Sequence, residues 1–203
     1  MSDDPRFAAT GMPDADWWDA LWPDPEDVLR RLDLSAGQSV VDLCCGNGKF
    51  LPGLLDVGCG PVYALDCDPV MLEDAKAVVI GHPRAQTVRW VDGDAMALPS
   101  LIPDPVDVVF IANTFHGAPD HTGLSRAVRS VLKPEGRFII IGWYARAREE
   151  TVVLGQPRGP KTEMRQSPDD LAALVEPAGF VRETVVDLPP YHYGAAFSVT
   201  NLK

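Results

Sequence analysis

One stretch of the chain constrains its fold more than any other: VVDLCCGNGKF, from Val40 to Phe50. An apolar run that ends in an acid, followed by small residues and two glycines, is typical of a strand, a tight turn and a helix start. We expect the strand at residues 39–43 and the helix to begin near Gly48. Gly46 and Gly48 lack a Cβ, so the backbone can turn sharply there and lie close to a ligand. Asp42 ends the strand, at the edge where open α/β sheets bind ligands.

Two kinds of nucleotide-binding turn compete for this stretch. A dinucleotide-binding turn needs GxGxxG, whose third glycine lets the helix pack closely on the strand. Here the third position is Leu51, after Gly46 and Gly48. The stretch instead resembles the first motif of class I S-adenosylmethionine-dependent methyltransferases, an acid followed by GxGxG. Cys44 stands where that family usually has its first glycine.

A second acid follows one βα unit later. Residues 61–65 are apolar and end in Asp66, and the next helix is predicted to start with Asp68 as N-cap and Pro69 at its first position. An acid at this edge is placed to accept hydrogen bonds from two ribose hydroxyls. Dinucleotide and S-adenosylmethionine sites share that need, so Asp66 indicates a nucleoside without choosing between them.

A third strand at residues 87–91 leads into GDAMALP. This wording resembles the third motif of the same methyltransferases. The resemblance implies that Asp94 bonds the adenine amino group and that the backbone N–H of Ala95 meets the ring. The alternative is that Asp94 forms the turn by bonding its own backbone.

The run VDVVFIA at residues 106–112 is apolar nearly throughout, as in a strand buried on both faces of a parallel sheet. It ends in NTFH, which places Asn113, Thr114, Phe115 and His116 at the ligand edge. The resemblance implies cofactor-facing and substrate-facing groups here. The cofactor-binding residues that it assigns are Asp42, Cys44, Gly46, Gly48, Asp66, Cys67, Met71, Asp94, Ala95 and Asn113.

A general base is needed only if the methyl acceptor must lose a proton. His116 is the first candidate, because it lies at the sheet edge and an ordinary histidine titrates near neutrality. Tyr144, after the fifth strand, and His192, in the turn of the last hairpin, are the other candidate catalytic residues.

The end of the chain completes the predicted sheet. VLKPEGRFIIIGW resembles the helix end and fifth strand of the same family. Two strands follow at residues 180–188 and 194–202, and their short PPYHY connection makes them antiparallel neighbours. This ending resembles the reversed final strand of class I methyltransferases. The resemblance implies an α/β fold, with a Rossmann-like, mostly parallel seven-stranded sheet, a reversed final strand and helices on both faces. The fold occupies residues 35–203.

Residues 1–34 form an acidic N-terminal segment with nine acids and three arginines. Two short helices are predicted, at residues 14–22 and 25–32. The tryptophans of the first, with Trp18 facing substrate, are candidates for a lid over the sheet edge. The alternative is an amphipathic helix that packs on the core.

Residues 145–166 form an irregular segment with five basic and three acidic residues. A loop this long in a compact domain is usually functional or disordered. It follows the fifth strand, so it can fold over the ligand edge, where Arg158 and Lys161 could receive an anionic group. The predicted substrate-binding residues are Trp18, Phe115, His116, Arg158 and Lys161.

Composition limits the partners. The 203-residue chain has a net charge of −11, which disfavours nucleic acid. No apolar run is long enough for a membrane span, and the N-terminus lacks a signal-peptide pattern, so we expect a cytoplasmic protein. The four cysteines have no zinc-site spacing, and we predict core thiols and no metal. The predicted function is S-adenosylmethionine-dependent methyl transfer to a small molecule. A non-catalytic binding protein and an NAD-dependent oxidoreductase are the alternatives.

Overall fold

The computed structural model describes residues 15–200. Residues 1–14 of the predicted N-terminal segment and 201–203 of the predicted last strand lie outside the described residues. The strands are β1 (Val40–Leu43), β2 (Val62–Asp66), β3 (Val88–Asp92), β4 (Val106–Ala112), β5 (Leu132–Trp143), β6 (Val152–Val153), β7 (Gln156–Pro157), β8 (Phe180–Leu188) and β9 (His192–Val199). The α-helices are α1 (Ala15–Leu21), α2 (Pro25–Arg31), α3 (Leu51–Val57), α4 (Pro69–Val79), α5 (Leu98–Leu101), α6 (His121–Val131) and α7 (Pro168–Val175).

Seven strands form one sheet in the order β3-β2-β1-β4-β5-β9-β8. The five strands from β3 to β5 pair in parallel. β9 is antiparallel to both of its neighbours and lies between β5 and β8. The predicted Rossmann-like, mostly parallel sheet with a reversed final strand is confirmed.

Helices cover both faces of this sheet. One buried cluster joins the first four helices to the sheet and includes Leu29 and Leu54. The other lies under α5, α6 and α7 and includes Leu124 and Leu171. Because both faces are covered, β1 and β4 are buried at nearly every position. This burial explains why their sequences are continuous apolar runs.

The strand order reverses at β1. The chain places β2 and β3 on one side of β1, then crosses back and adds β4 on the other side. The connections after β1 and β4 therefore diverge, and a crevice opens at the carboxyl ends of these two strands. Asp42 in β1 and Asn113, directly after β4, lie at this point.

Two predicted boundaries are wrong, and both matter for the site. The helix after β1 begins at Leu51 and not near Gly48, because Gly46 and Gly48 have φ angles of 54° and 82°, which an α-helix does not contain. β9 begins at His192 and not at Gly194. His192 is therefore the first residue of a strand and does not lie in the hairpin turn.

The segment 145–166 is more ordered than its sequence predicts. β6 and β7 pair as a short antiparallel hairpin between two 3₁₀ turns, Arg148–Glu150 and Thr162–Met164. Arg165 Nη2 donates to Thr151 Oγ1 at 2.9 Å and ties the two ends of the segment together. Strands of two residues are too short to leave a periodic pattern in the sequence.

Within the part of the chain that the structure describes, no helix has the length and apolar composition needed to cross a bilayer.

Candidate active site

A cavity of about 730 Å³ opens at the carboxyl ends of β1 and β4. This volume is typical of small-molecule sites, which span about 300–1,000 Å³. Its lining comes from the glycine turn after β1, from residues 112–114 and His116 at the end of β4, and from α1 and the segment 148–164. Among the predicted cofactor residues, those that line it are Asp42, Cys44, Gly46 and Asn113. Among the predicted substrate residues, those that line it are Trp18, His116, Arg158 and Lys161.

The glycine turn combines three left-handed residues at alternate positions. Cys44, Gly46 and Gly48 have φ angles of 58°, 54° and 82°. A Cβ on Gly48 would lie 2.9 Å from the Cβ of Ala75, so glycine is required there for space as well as conformation. Cys44, which replaces the family's usual first glycine, adopts a backbone conformation that costs a residue with a Cβ free energy. The structure thus shows why glycine is the common choice at that position.

The carboxyl group of Asp42 lines the cavity and is almost fully buried, with 3% of the residue exposed. Its Oδ2 atom has no hydrogen-bond partner among residues 15–200. Burial, with a smaller contribution from the negative charge of Asp66, raises the pKa of Asp42 from 3.8 to about 7. A cation in the cavity would favour the ionised carboxylate and reverse this shift. The position therefore suits a positively charged ligand.

Asp66 holds the glycine turn against β2. Its Oδ2 accepts the backbone N–H of Gly46 at 2.8 Å, and its Oδ1 accepts that of Asp68 at 3.0 Å. Each carboxylate oxygen has a second lone pair for a further donor. Asp66 lies at the sheet edge and does not line the cavity. Its predicted contact with ribose stays a prediction.

Asn113 has an unusual environment for an amide side chain. Its backbone is left-handed, with φ of 60°, and its backbone N–H donates to Ile141 O at 2.9 Å. The side-chain Oδ1 and Nδ2 atoms are both buried without a hydrogen-bond partner in the described chain. An unsatisfied buried polar group costs about 1–3 kcal/mol. At the edge of a cavity, such a group is expected to hydrogen-bond a ligand.

The N-terminal helix α1 contributes tryptophans to the cavity. Trp17 and Trp18 are both buried and line it. The guanidinium of Arg158 lies over the Trp17 ring, 5.5 Å from its centre. An ion pair between Lys49 and Asp19 connects the glycine turn to α1. The predicted acidic helix is thus both packed on the core and part of the cavity lining.

His116 lines the cavity as a neutral imidazole. Burial, followed by the positive influence of His121 and Arg165, lowers its pKa from 6.5 to about 4. A histidine with this pKa is a weak base at neutral pH, but the unprotonated nitrogen of its ring can still accept a hydrogen bond.

Three of the predicted catalytic and substrate-binding residues, Phe115, Tyr144 and His192, lie outside the cavity lining. Phe115 is buried with 2% exposure and packs edge to face on Phe138, so the prediction that it faces substrate is corrected. Tyr144 does not line the cavity, and its hydroxyl donates to Asp187 Oδ1 at 3.0 Å.

The structure contradicts the prediction that His192 lies in the turn of the last hairpin as a candidate base. The residue is fully buried, and its ring lies between those of Trp22 and Trp143, with centres 4.5 Å and 4.0 Å away. Burial, with a smaller effect of Arg165, lowers its pKa to about 3. The imidazole does not line the cavity, because His192 pairs with Trp143 of β5 and its ring is enclosed by the two tryptophans. It is a core residue in this fold and not the base predicted from its position in a turn.

The remaining predicted residues lie along the same sheet edge but do not line the cavity. Cys67 and Met71 follow β2, and Ala95 and Asp94 follow β3. Asp94 accepts the backbone N–H of Met96 at 2.9 Å, which is the turn-forming role considered as its alternative. Their roles toward adenine stay predictions. Among residues 15–200 no group of three or more metal-ligating side chains occurs.

Sequence reasoning missed several lining residues. Phe50, Arg148 and Met164 line the cavity without having been assigned a role from the sequence. Thr114, which the sequence places at the ligand edge within NTFH, lines it as well. Arg148 is one of five basic residues in its segment, and no local pattern separates it from the others.

Comparison with known proteins gives the class of this molecule. A model of the methyltransferase domain family matches residues 41–140. A demethylmenaquinone methyltransferase of Lactococcus lactis subsp. lactis is 36% identical over 116 residues, which are 56% of this chain and 45% of that protein. A demethylmenaquinone methyltransferase of Geobacillus kaustophilus is 29% identical over 200 residues, covering 84% of this chain and 81% of that one. The match thus spans about half the length of the first relative and most of the second.

A solved structure agrees with these matches. The crystal structure of a SAM-dependent methyltransferase from Aquifex aeolicus has a TM-score of 0.75 and 25% identity, over 94% of this chain and 100% of that chain. The chain belongs to the class I S-adenosylmethionine-dependent methyltransferase family. Membership of this family of enzymes implies S-adenosylmethionine as the cofactor.

Proposed function

We propose that this protein transfers the methyl group of S-adenosylmethionine to a small-molecule acceptor in the cavity at the ends of β1 and β4. The observation that carries the proposal is the pair of unsatisfied buried groups beside the glycine turn: the Oδ2 of Asp42 and the side-chain amide of Asn113. A cationic ligand rich in hydrogen-bonding groups satisfies both. When bound, the cofactor supplies an electrophilic methyl group on a positively charged sulfur.

The residues of the chain then act by binding and positioning. Asp42 offers a buried negative charge to the cationic end of the cofactor. Asn113 offers a donor and an acceptor beside it. Gly46 and Gly48 keep the turn free of side chains, and Asp66 presents carboxylate oxygens to the ribose. Asp94 and the neighbouring backbone hold the adenine at the outer edge.

The acceptor is proposed to be small. The relatives' names give demethylmenaquinone, a small molecule, as the acceptor of those enzymes. In this chain the cavity lining includes the aromatic side chains of Trp17, Trp18 and Phe50, and the acceptor is proposed to bind against them. Helix α1 and the segment 145–166 supply a cover that excludes water from the reacting atoms. Such exclusion and alignment provide much of the catalysis in a methyl transfer.

His116 is proposed to position the acceptor. Its low pKa makes it neutral at pH 7, so its ring accepts a hydrogen bond from an acceptor hydroxyl or amine. We also propose a cytoplasmic location, since all four cysteines are free thiols, as in a reducing compartment.

Calorimetric titration tests the proposal most directly. Purified protein is titrated with S-adenosylmethionine, with S-adenosylhomocysteine and with NAD as control. Micromolar binding of both sulfur nucleosides without binding of NAD is expected. Binding of NAD alone would favour the oxidoreductase alternative. Binding of the cofactor without turnover of any acceptor would favour a non-catalytic binding protein.

A further inference from the structure

Three positively charged side chains line the same cavity as Asp42. They are Arg148, Arg158 and Lys161, and we call them the basic wall. Among residues 15–200, none of the three forms an ion pair with a carboxylate. The chain has a net charge of −11, so acidic side chains outnumber basic ones. Three basic side chains without an acidic partner in one cavity are therefore not explained by composition.

The two arginine side chains of the basic wall are held in place by the protein. Arg158 stacks over the ring of Trp17 at 5.5 Å, and its Nε atom is buried without a hydrogen-bond partner in the described chain. Arg148 Nε donates to Gly159 O at 3.0 Å, which fixes its guanidinium beside Arg158. A preorganised guanidinium loses little entropy when it binds a carboxylate, and it binds in a bidentate geometry.

A fourth cation, Arg165, lies next to the basic wall and adds to its positive charge. Arg165 is 7% exposed and lies over the ring of Trp143, with its Nη1 atom unpartnered among residues 15–200. Its side chain also donates to the backbone oxygens of Pro160 and Arg158. Burial, and then the positive charge of Arg148, lowers the pKa of Arg165, while the negative charge of Glu149 acts in the opposite direction. Positive charge thus accumulates on this part of the lining.

We propose that the methyl acceptor is an apolar, aromatic molecule that carries one anionic group, such as a carboxylate, which binds the basic wall. This inference rests on the proposed function and names the substrate class of the same site. The aromatic side chains Trp17, Trp18 and Phe50 accommodate the apolar body, and the basic wall receives the charge. Asp42 repels the anionic group from the glycine turn, so the acceptor and the cationic cofactor occupy separate parts of the cavity.

A carboxylate at the basic wall has a second possible source, the amino-acid end of S-adenosylmethionine itself. The test therefore measures the two ligands separately. The acceptor probe is 2-naphthoate, with the neutral 2-naphthamide for comparison, titrated in the presence of saturating S-adenosylhomocysteine. Quenching of the fluorescence of the cavity tryptophans reports binding. We expect 2-naphthoate to bind at least about tenfold more tightly than 2-naphthamide.

Charge-removing variants assign the effect to named residues. R158Q and K161Q should each weaken 2-naphthoate at least about fivefold and leave 2-naphthamide and S-adenosylhomocysteine unchanged. Lys161 is exposed, so K161Q tests the wall without disturbing the fold. R146Q is the matched control. It removes the same charge from the same segment, but Arg146 lies over Tyr144 and does not line the cavity.

Several outcomes would overturn the proposal: no binding of 2-naphthoate, equal binding of the acid and the amide, or an equal effect of R146Q. A loss of S-adenosylhomocysteine affinity in R158Q and K161Q, with 2-naphthoate unaffected, would assign the wall to the cofactor. If the wild-type protein bound no sulfur nucleoside, the proposed function would fail. The naphthoate titrations without nucleoside would still report on the wall itself.

Discussion

Replacement of Asp42 by Asn tests the electrostatics of the cavity. The pKa of Asp42 is raised from 3.8 to about 7, chiefly by burial and then by Asp66. The folded protein therefore binds this proton more tightly than the unfolded chain. Deprotonation of Asp42 therefore lowers the free energy of unfolding. This loss is absent below pH 3.8, grows as the pH rises and is complete above pH 7. A shift of about 3 pH units corresponds to at most about 4 kcal/mol.

Urea unfolding of the ligand-free proteins measures this cost. The free energy of unfolding of D42N minus that of the wild type should increase by about 2–3 kcal/mol between about pH 5 and pH 8. Comparison across pH cancels the packing of the new amide, which is a constant offset, and the titration of groups that both proteins share. A difference that stays constant over this range would refute the raised pKa of Asp42.

The proposed contact between the Asp42 carboxylate and the cofactor predicts that cofactor binding depends on pH. Asp42 must be ionised to attract a cation, so the affinity of the wild type for S-adenosylmethionine should fall about tenfold per pH unit below pH 7. In D42N the affinity should be weaker and independent of pH. The control ligand is 5′-methylthioadenosine, which lacks the sulfonium and the amino-acid charges, and its binding should not depend on pH in either protein. A flat profile for S-adenosylmethionine would contradict a cation at Asp42.

Three further changes test other parts of the site. Gly48→Ala should lower the free energy of unfolding in urea by about 2–4 kcal/mol, because the new Cβ would clash with Ala75. The control is Gly155→Ala, at a left-handed residue in open space, which should lower it by only about 1 kcal/mol. Equal losses in the two variants would contradict the clash. Asp66→Asn should weaken both S-adenosylmethionine and 5′-methylthioadenosine more than tenfold in calorimetry, because they share the ribose, and a loss confined to the first would exclude that role. When the pH falls from 7 to 5, the free energy of unfolding of the wild type should drop by about 2 kcal/mol more than that of His192→Phe, because the buried imidazole takes up a proton only on unfolding. An equal pH dependence of the two proteins in urea unfolding would refute this.

Local features of the site were predictable because they are encoded by neighbouring residues. Asp68 accepts the N–H of Val70 and Pro69 opens α4, as the sequence predicts. The glycine turn, the acid at the end of β1 and the apolar run of β4 each depend on a few consecutive residues. Their order along the chain, together with the resemblance of the last two strands to the ending of class I methyltransferases, predicted a mostly parallel sheet with a reversed last strand.

Membership of the cavity depended on contacts between distant segments. Phe115 and His116 are adjacent in sequence, yet one packs in the core and the other lines the cavity. His192 is polar and close to a turn, but strand pairing with β5 buries it between two tryptophans.

The sequence by itself determined the fold class and the glycine turn, because strand periodicity, capping and glycine conformation are local properties, and the resemblance of its motifs indicated the family. Only the tertiary structure decided which charges meet. It brought Arg148 and Arg158, from two sides of a short hairpin, into the same cavity as Asp42. The burial that raises the pKa of Asp42 and leaves Asn113 unsatisfied is created by packing across the whole chain, so no local pattern could reveal it.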